Sequence, residues 1–60
     1  MKVYVLTFGQ SAYEDNVVVA GVFKKQEDAL KRAIKEEGAV DYYTASYGQY
    51  YYRIEEYILE

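Results

Sequence analysis

Sixty residues with a net charge of −3 make one domain, close to the lower size limit for a chain that folds alone. With no cysteine and no histidine, disulfides and thiolate metal sites are excluded, and the commonest general base and strongest nucleophile are missing. The mild acidity offers no attraction to a polyanion, and no apolar run approaches the roughly 18 residues needed to cross a bilayer.

Residues 2–8, KVYVLTF, are β-branched and aromatic and are punctuated by Gly9, so they read as a strand. Both of its faces are largely apolar, which places it in the middle of a sheet. Residues 9–16 read as a connecting loop. Residues 17–23, VVVAGVF, are a second strand, with Gly21 a bulge or a point of close approach. Two strands so spaced suggest an antiparallel hairpin with a long loop.

The period changes in KQEDALKRAIKEEG (25–38), where Ala29, Leu30, Ala33 and Ile34 make one stripe of an amphipathic helix of about twelve residues. Glu27 and Asp28 sit in its first turn, where acidic groups complement the helix dipole. Glu27–Lys31 and Asp28–Arg32 are favourably ordered i, i+4 pairs. Gly38 supplies the stop, and no strong N-cap residue marks the start.

After a short link, seven of the eighteen residues from Val40 to Tyr57 are tyrosine. Residues 50–59 form the third strand, and residues 42–47 are a possible extra strand that turns near Gly48. Alternation sets Tyr50, Tyr52 and Ile54 on one face against Tyr51, Arg53, Glu55 and Tyr57 on the other. Short connections then predict an α+β fold, ββαβ, with a small antiparallel sheet in the order 2-1-3 and the helix on one face. One helix covers one face. The other stays apolar and tyrosine-bearing, too large a patch for a monomer, so a homodimer is expected, packed face to face or through strand edges.

The segments MKVYVLTFG, GVFKKQEDALKRAI and YYRIEEYILE resemble a family of short uncharacterised bacterial and phage proteins. Its pattern is a K-V-Y-V-L-T opening strand, a G-V-F/Y strand end feeding a charged helix, and an I-E-E-Y-x-L closing strand. The resemblance spans most of the chain and implies a ββαβ fold, a bacterial or phage setting and no active site. The chain departs from the pattern at Lys24 and Lys25, where a capping serine is usual, and in the insert YYTASYGQ.

Catalysis is not expected. Ser11, Ser46, Thr7 and Thr44 lack an evident activating partner, and adjacent Glu55 and Glu56 point to opposite faces of a strand, so they cannot flank one glycosidic bond. The four glycines are too dispersed for a phosphate loop, and no cofactor or metal is expected. Lys24, Lys25, Lys31, Arg32 and Lys35 give the helix a positive balance, but stacking platforms need the charge beside the aromatic rings. The tyrosines instead neighbour Asp41, Glu55 and Glu56. Protein recognition suits them better, because tyrosine supplies rigid amphipathic contact area at low entropic cost. The expected partner or dimer surface is Tyr42, Tyr43, Tyr47, Tyr50, Tyr51, Tyr52 and Tyr57. The sequence thus points to a non-catalytic, cytoplasmic, homodimeric protein that binds a bacterial protein, in its most concrete form a phage-encoded inhibitor of a host defence system. The alternative is an accessory module for single-stranded nucleic acid or a small ligand.

Overall fold

β1 (Lys2–Gln10) is the strand on which the rest is laid. The computed structural model describes every residue except Ala12 and Glu60, and the side chains of residues 13–16 lie outside the description. β1 pairs antiparallel with β2 (Tyr13–Phe23) on one side and with β4 (Tyr50–Ile58) on the other. Its apolar residues therefore meet neighbours on both edges, as its sequence predicted. The β1–β4 register runs unbroken from Lys2↔Ile58 to Gln10↔Tyr50. The β1–β2 register slips between Leu6 and Thr7, where Gly21 and Val19 are the partners and Ala20 is the extra residue of a bulge. Gly21 beside it is in tight quarters, since a Cβ there would lie 3.0 Å from the Phe23 ring.

Three expectations about the sheet need correction. The anticipated loop 9–16 is largely strand: Gln10 pairs with Tyr13, which leaves a two-residue connection, of which Ala12 lies outside the described residues. Polar residues here did not keep the chain out of β2, although its register with β1 shifts a second time, between Phe8 and Gln10. The sheet is also mixed, with order β2-β1-β4-β3, because a two-residue strand β3 (Val40–Asp41) runs parallel to β4. The expected order of the long strands survives as β2-β1-β4, with β3 added outside it. Finally, the possible extra strand at 42–47 is not one. Tyr42–Thr44 is a single turn of 3₁₀ helix, capped by Asp41, whose side chain accepts the Tyr43 N–H at 3.3 Å. Short polar side chains that bond their own backbone compete with a ladder in this way.

Helix α1 (Gln26–Ile34) is nine residues long, shorter than its amphipathic pattern suggested, and Lys25 at its N-cap makes no side-chain capping bond. It lies on the sheet through Ala29 and Ala33, both fully buried. Ala33 joins Leu6 and Phe8 in the core, with Ala20, Phe23, Tyr52 and Ile54 packed around them. Methyl side chains let the helix approach closely enough to seal Leu6 completely. Leu30 and Ile34, one residue further on and about 100° round the helix, remain exposed. Among the described residues the ion pair on this helix is Arg32–Glu36 at 3.5 Å, in place of the expected Glu27–Lys31 and Asp28–Arg32. The Arg32 guanidinium instead reaches over the Phe8 ring, 5.6 Å from its centroid, and closes that end of the core.

Candidate protein-binding surface

Residues 42–49 form a hook that returns the chain from β3 to the start of β4. Its conformation is set by local chemistry. Asp41 caps the first turn, Thr44 Oγ1 donates to the Asp41 carbonyl at 3.2 Å, and Gly48 takes φ +80°, a left-handed value that favours glycine. The far end is fastened to the β1–β2 connection. Ser11 N–H donates to the Gln49 carbonyl at 2.8 Å, Gly48 N–H to the Ser11 carbonyl at 3.1 Å, and Gln10 Nε2 to the Gly48 carbonyl at 2.8 Å. The Gln49 side chain accepts the Ser46 N–H at 2.9 Å. The hook therefore carries its side chains on a fixed backbone. Two of them are large and bare: Tyr43 is 75% exposed and Tyr47 90%.

Below the hook, the face of β4 turned away from the helix carries a connected row. The Tyr51 ring lies over Gly9, where an added Cβ would fall 2.6 Å from the phenol oxygen. Tyr42 meets Tyr51 edge-on, with centroids 4.8 Å apart, and meets Tyr43 edge-on at 5.2 Å. Arg53 sits over the other neighbour, its guanidinium carbon 4.7 Å from the Tyr42 centroid. Arg53 Nε is 3.2 Å from Glu55 Oε1, within ion-pair range. The approach lacks hydrogen-bond alignment, so this buried N–H has no acceptor. Tyr57 Oη donates to Glu55 Oε2 at 3.1 Å. That hydrogen bond, and then the negative charge of Glu55, hold the Tyr57 phenol above its usual pKa of 10.0, against a smaller lowering by Arg53.

The seven expected tyrosines thus separate into different surroundings. Tyr51 is interior, only 7% exposed. Tyr52 packs beside the helix-side core, and Tyr50 stacks on Phe8 with centroids 5.8 Å apart. Tyr42 bridges the buried Tyr51 to the exposed Tyr43, while Tyr57 stands at the opposite end of β4 from the hook. Tyr43 also borders a shallow cleft of about 240 Å³, lined with Gln26, Leu30, Asp41, Tyr52 and Ile54. Sequence reasoning missed Asp41, Arg53 and Leu30 as members of this surface. The signal for Asp41 was present in D-Y-Y-T, an Asp followed by Thr three residues on, the pattern of a capped turn.

The surface has little with which to hold phosphate. Arg53, the cation among the tyrosines, is engaged by Glu55 and Tyr42, and the lysines of the helix segment are exposed to solvent. Among the described residues no three acidic, histidine or cysteine side chains gather as a metal site, and no helix is long and apolar enough to cross a membrane. No protein-family model, curated protein or solved structure matches the chain.

Proposed function

We propose that this chain is a non-catalytic protein-binding module that acts as a homodimer, and that its target is a bacterial protein, with the chain serving as a phage-encoded inhibitor of a host defence system. The observation that carries the binding role is the pairing of two bare tyrosines, Tyr43 and Tyr47, with a hook fastened at both ends. Large aromatic groups on a rigid backbone lose little entropy on binding, which is what a recognition loop needs. Neither ring has a task inside the fold that explains its exposure. The cleft beside Tyr43 offers room for one side chain of the partner. The bacterial and phage setting is supported by the likeness of KVYVLT and IEEYIL to the family pattern.

The test is capture of a bacterial protein on the immobilised chain, followed by titration of the purified pair. Tyr43→Ala with Tyr47→Ala should weaken binding by at least about tenfold, as loss of aromatic anchors does. The same substitutions should leave stability within about 0.5 kcal/mol, as exposed positions do. Affinity should hold between roughly 50 and 200 mM salt, whereas a nucleic-acid ligand would lose orders of magnitude. Full-strength binding by the double variant would remove the hook from the interface.

A further inference from the structure

The fold twice seats one of its own guanidinium groups between an aromatic ring and a carboxylate. Arg32 lies over the Phe8 ring, 5.6 Å from the centroid, and meets Glu36 at 3.5 Å. Arg53 lies over the Tyr42 ring, 4.7 Å from the centroid, and meets Glu55 at 3.2 Å. A flat, delocalised cation suits both partners at once, because the ring attracts it from the face and the carboxylate binds its edge.

The cleft beside the hook has the same parts without the cation. Tyr43 and Tyr52 supply rings, and Asp41 is the one charged residue of its lining. Asp41 Oδ1 accepts the Tyr43 N–H, and among the described residues no lysine or arginine pairs with this carboxylate. Nor, among the described residues, does a cation of the chain stand over Tyr43 or Tyr52. Leu30 and Ile54 also line the cleft, an aliphatic surface along which the stem of a long side chain can lie while its charged head stays in contact with water. An acidic side chain would meet the like charge of Asp41, and an apolar one would take water from that carboxylate and return nothing for it.

We infer that the cleft takes an arginine side chain of the bound protein, with its guanidinium against Asp41 and the tyrosine rings and its methylenes on Leu30 and Ile54. This rests on the protein-binding reading of the hook and gives the partner's contact residue its chemistry. It also separates the two bare tyrosines, since Tyr43 lines the cleft and Tyr47 does not. Asp41 is exposed, so its ion pair is weak, and one arginine side chain alone should bind with a Kd on the order of 10 mM.

Titration of the chain with the capped tripeptide Gly-Arg-Gly, followed through the backbone amide resonances, tests this. Gly-citrulline-Gly, which keeps the shape and loses the charge, and Gly-Leu-Gly are the comparisons. The arginine peptide should give saturable shifts at Gln26, Leu30, Asp41 and Tyr43, and should bind about fivefold tighter than either comparison. That preference should fade as salt is raised to about 1 M. Asp41→Asn keeps an oxygen for the Tyr43 N–H, because asparagine caps as well as aspartate does, so the hook should hold its spectrum while the preference disappears. Arginine binding no tighter than citrulline or leucine, or a preference that survives Asp41→Asn, would overturn the assignment. Arginine shifts centred on Glu36 or Glu55 would do the same. The titration uses no captured protein, so its failure leaves capture by the hook standing. Full-strength capture by the Tyr43→Ala, Tyr47→Ala double variant would instead remove the hook reading and this inference with it.

Discussion

Tyr51 and Tyr47 are four residues apart, and the fold treats them in opposite ways. Tyr51 belongs to β4, where pairing with β1 sets its ring over Gly9 and the hook adds Tyr42 on top. Tyr47 belongs to the hook, where the hydrogen bonds hold backbone and leave the ring in water. The same side chain is core in one region and solvent-exposed in the other. What separates them is whether a neighbouring strand supplies a place for the ring to lie. A tyrosine-rich stretch is therefore not one functional unit, and substitutions should sort its members by region.

The largest effect is expected at the seat of Tyr51. Gly9→Ala forces a Cβ to within 2.6 Å of the phenol oxygen and 2.8 Å of the ring carbon bearing it. A rigid ring already pinned by Tyr42 has little room to yield, so the loss should be about 1–3 kcal/mol in denaturant unfolding. Adding Tyr51→Ala to Gly9→Ala removes the clash, and the second substitution should then cost less than it does alone. Equal costs in both backgrounds would mean that the ring does not rest on Gly9.

A smaller effect belongs to the hook. Asp41→Ala deletes the cap on Tyr43 N–H and should cost on the order of 1 kcal/mol or less, as losses of exposed caps do. Amide exchange should quicken between Thr44 and Gln49 and stay unchanged along β1 and β4. Uniform quickening would show that hook and sheet open together, which would erase the distinction drawn between them.

The smallest effect is a titration at the far end of β4. Glu55 raises the Tyr57 pKa above 10.0, so the folded state favours the neutral phenol. That contribution is complete below the ordinary phenol pKa and is lost as pH climbs through the higher folded value. Glu55→Gln should bring Tyr57 ionisation back toward its ordinary value, read from phenolate absorbance or from the ring resonances. Neutral-pH stability should barely change, because the pair is at the surface.

Much of the fold was legible because its long elements obey simple periods. Apolar residues on both faces of KVYVLTF placed β1 in the centre, and alternation in YYYRIEEYI divided Tyr50, Tyr52 and Ile54 from Tyr51, Arg53 and Glu55 as the paired strands do. The i, i+4 spacing of Ala29 and Ala33 marked the seat of the helix. Leu30 and Ile34 share that stripe but stay exposed, since two alanines already fill the narrow line of contact. Other features depended on long-range geometry that periodicity does not carry. Tyr51 is buried because Gly9, 42 residues earlier, lies opposite it. β3 exists because the hook turns back, and the hook turns because Asp41 captures a backbone N–H that an extended strand would have left outward. In the candidate surface, Tyr43 and Tyr47 are the two of the seven named tyrosines that stand most exposed, while the places of Arg53 and Asp41 emerge only once β4 and the hook are side by side.

The placement of β1 between β2 and β4 also governs how the chain reaches this state. Its pairing with β2 is local and can form as a hairpin within microseconds. Its pairing with β4 runs from Gln10↔Tyr50 to Lys2↔Ile58, so even the nearest pair closes a loop holding β2, the helix and the hook before any contact repays the closure entropy. High contact order of this kind slows folding. Until β4 docks, the most apolar strand of the protein waits with one side open, which makes arrival of the tyrosine strand the step that ends its vulnerability to aggregation.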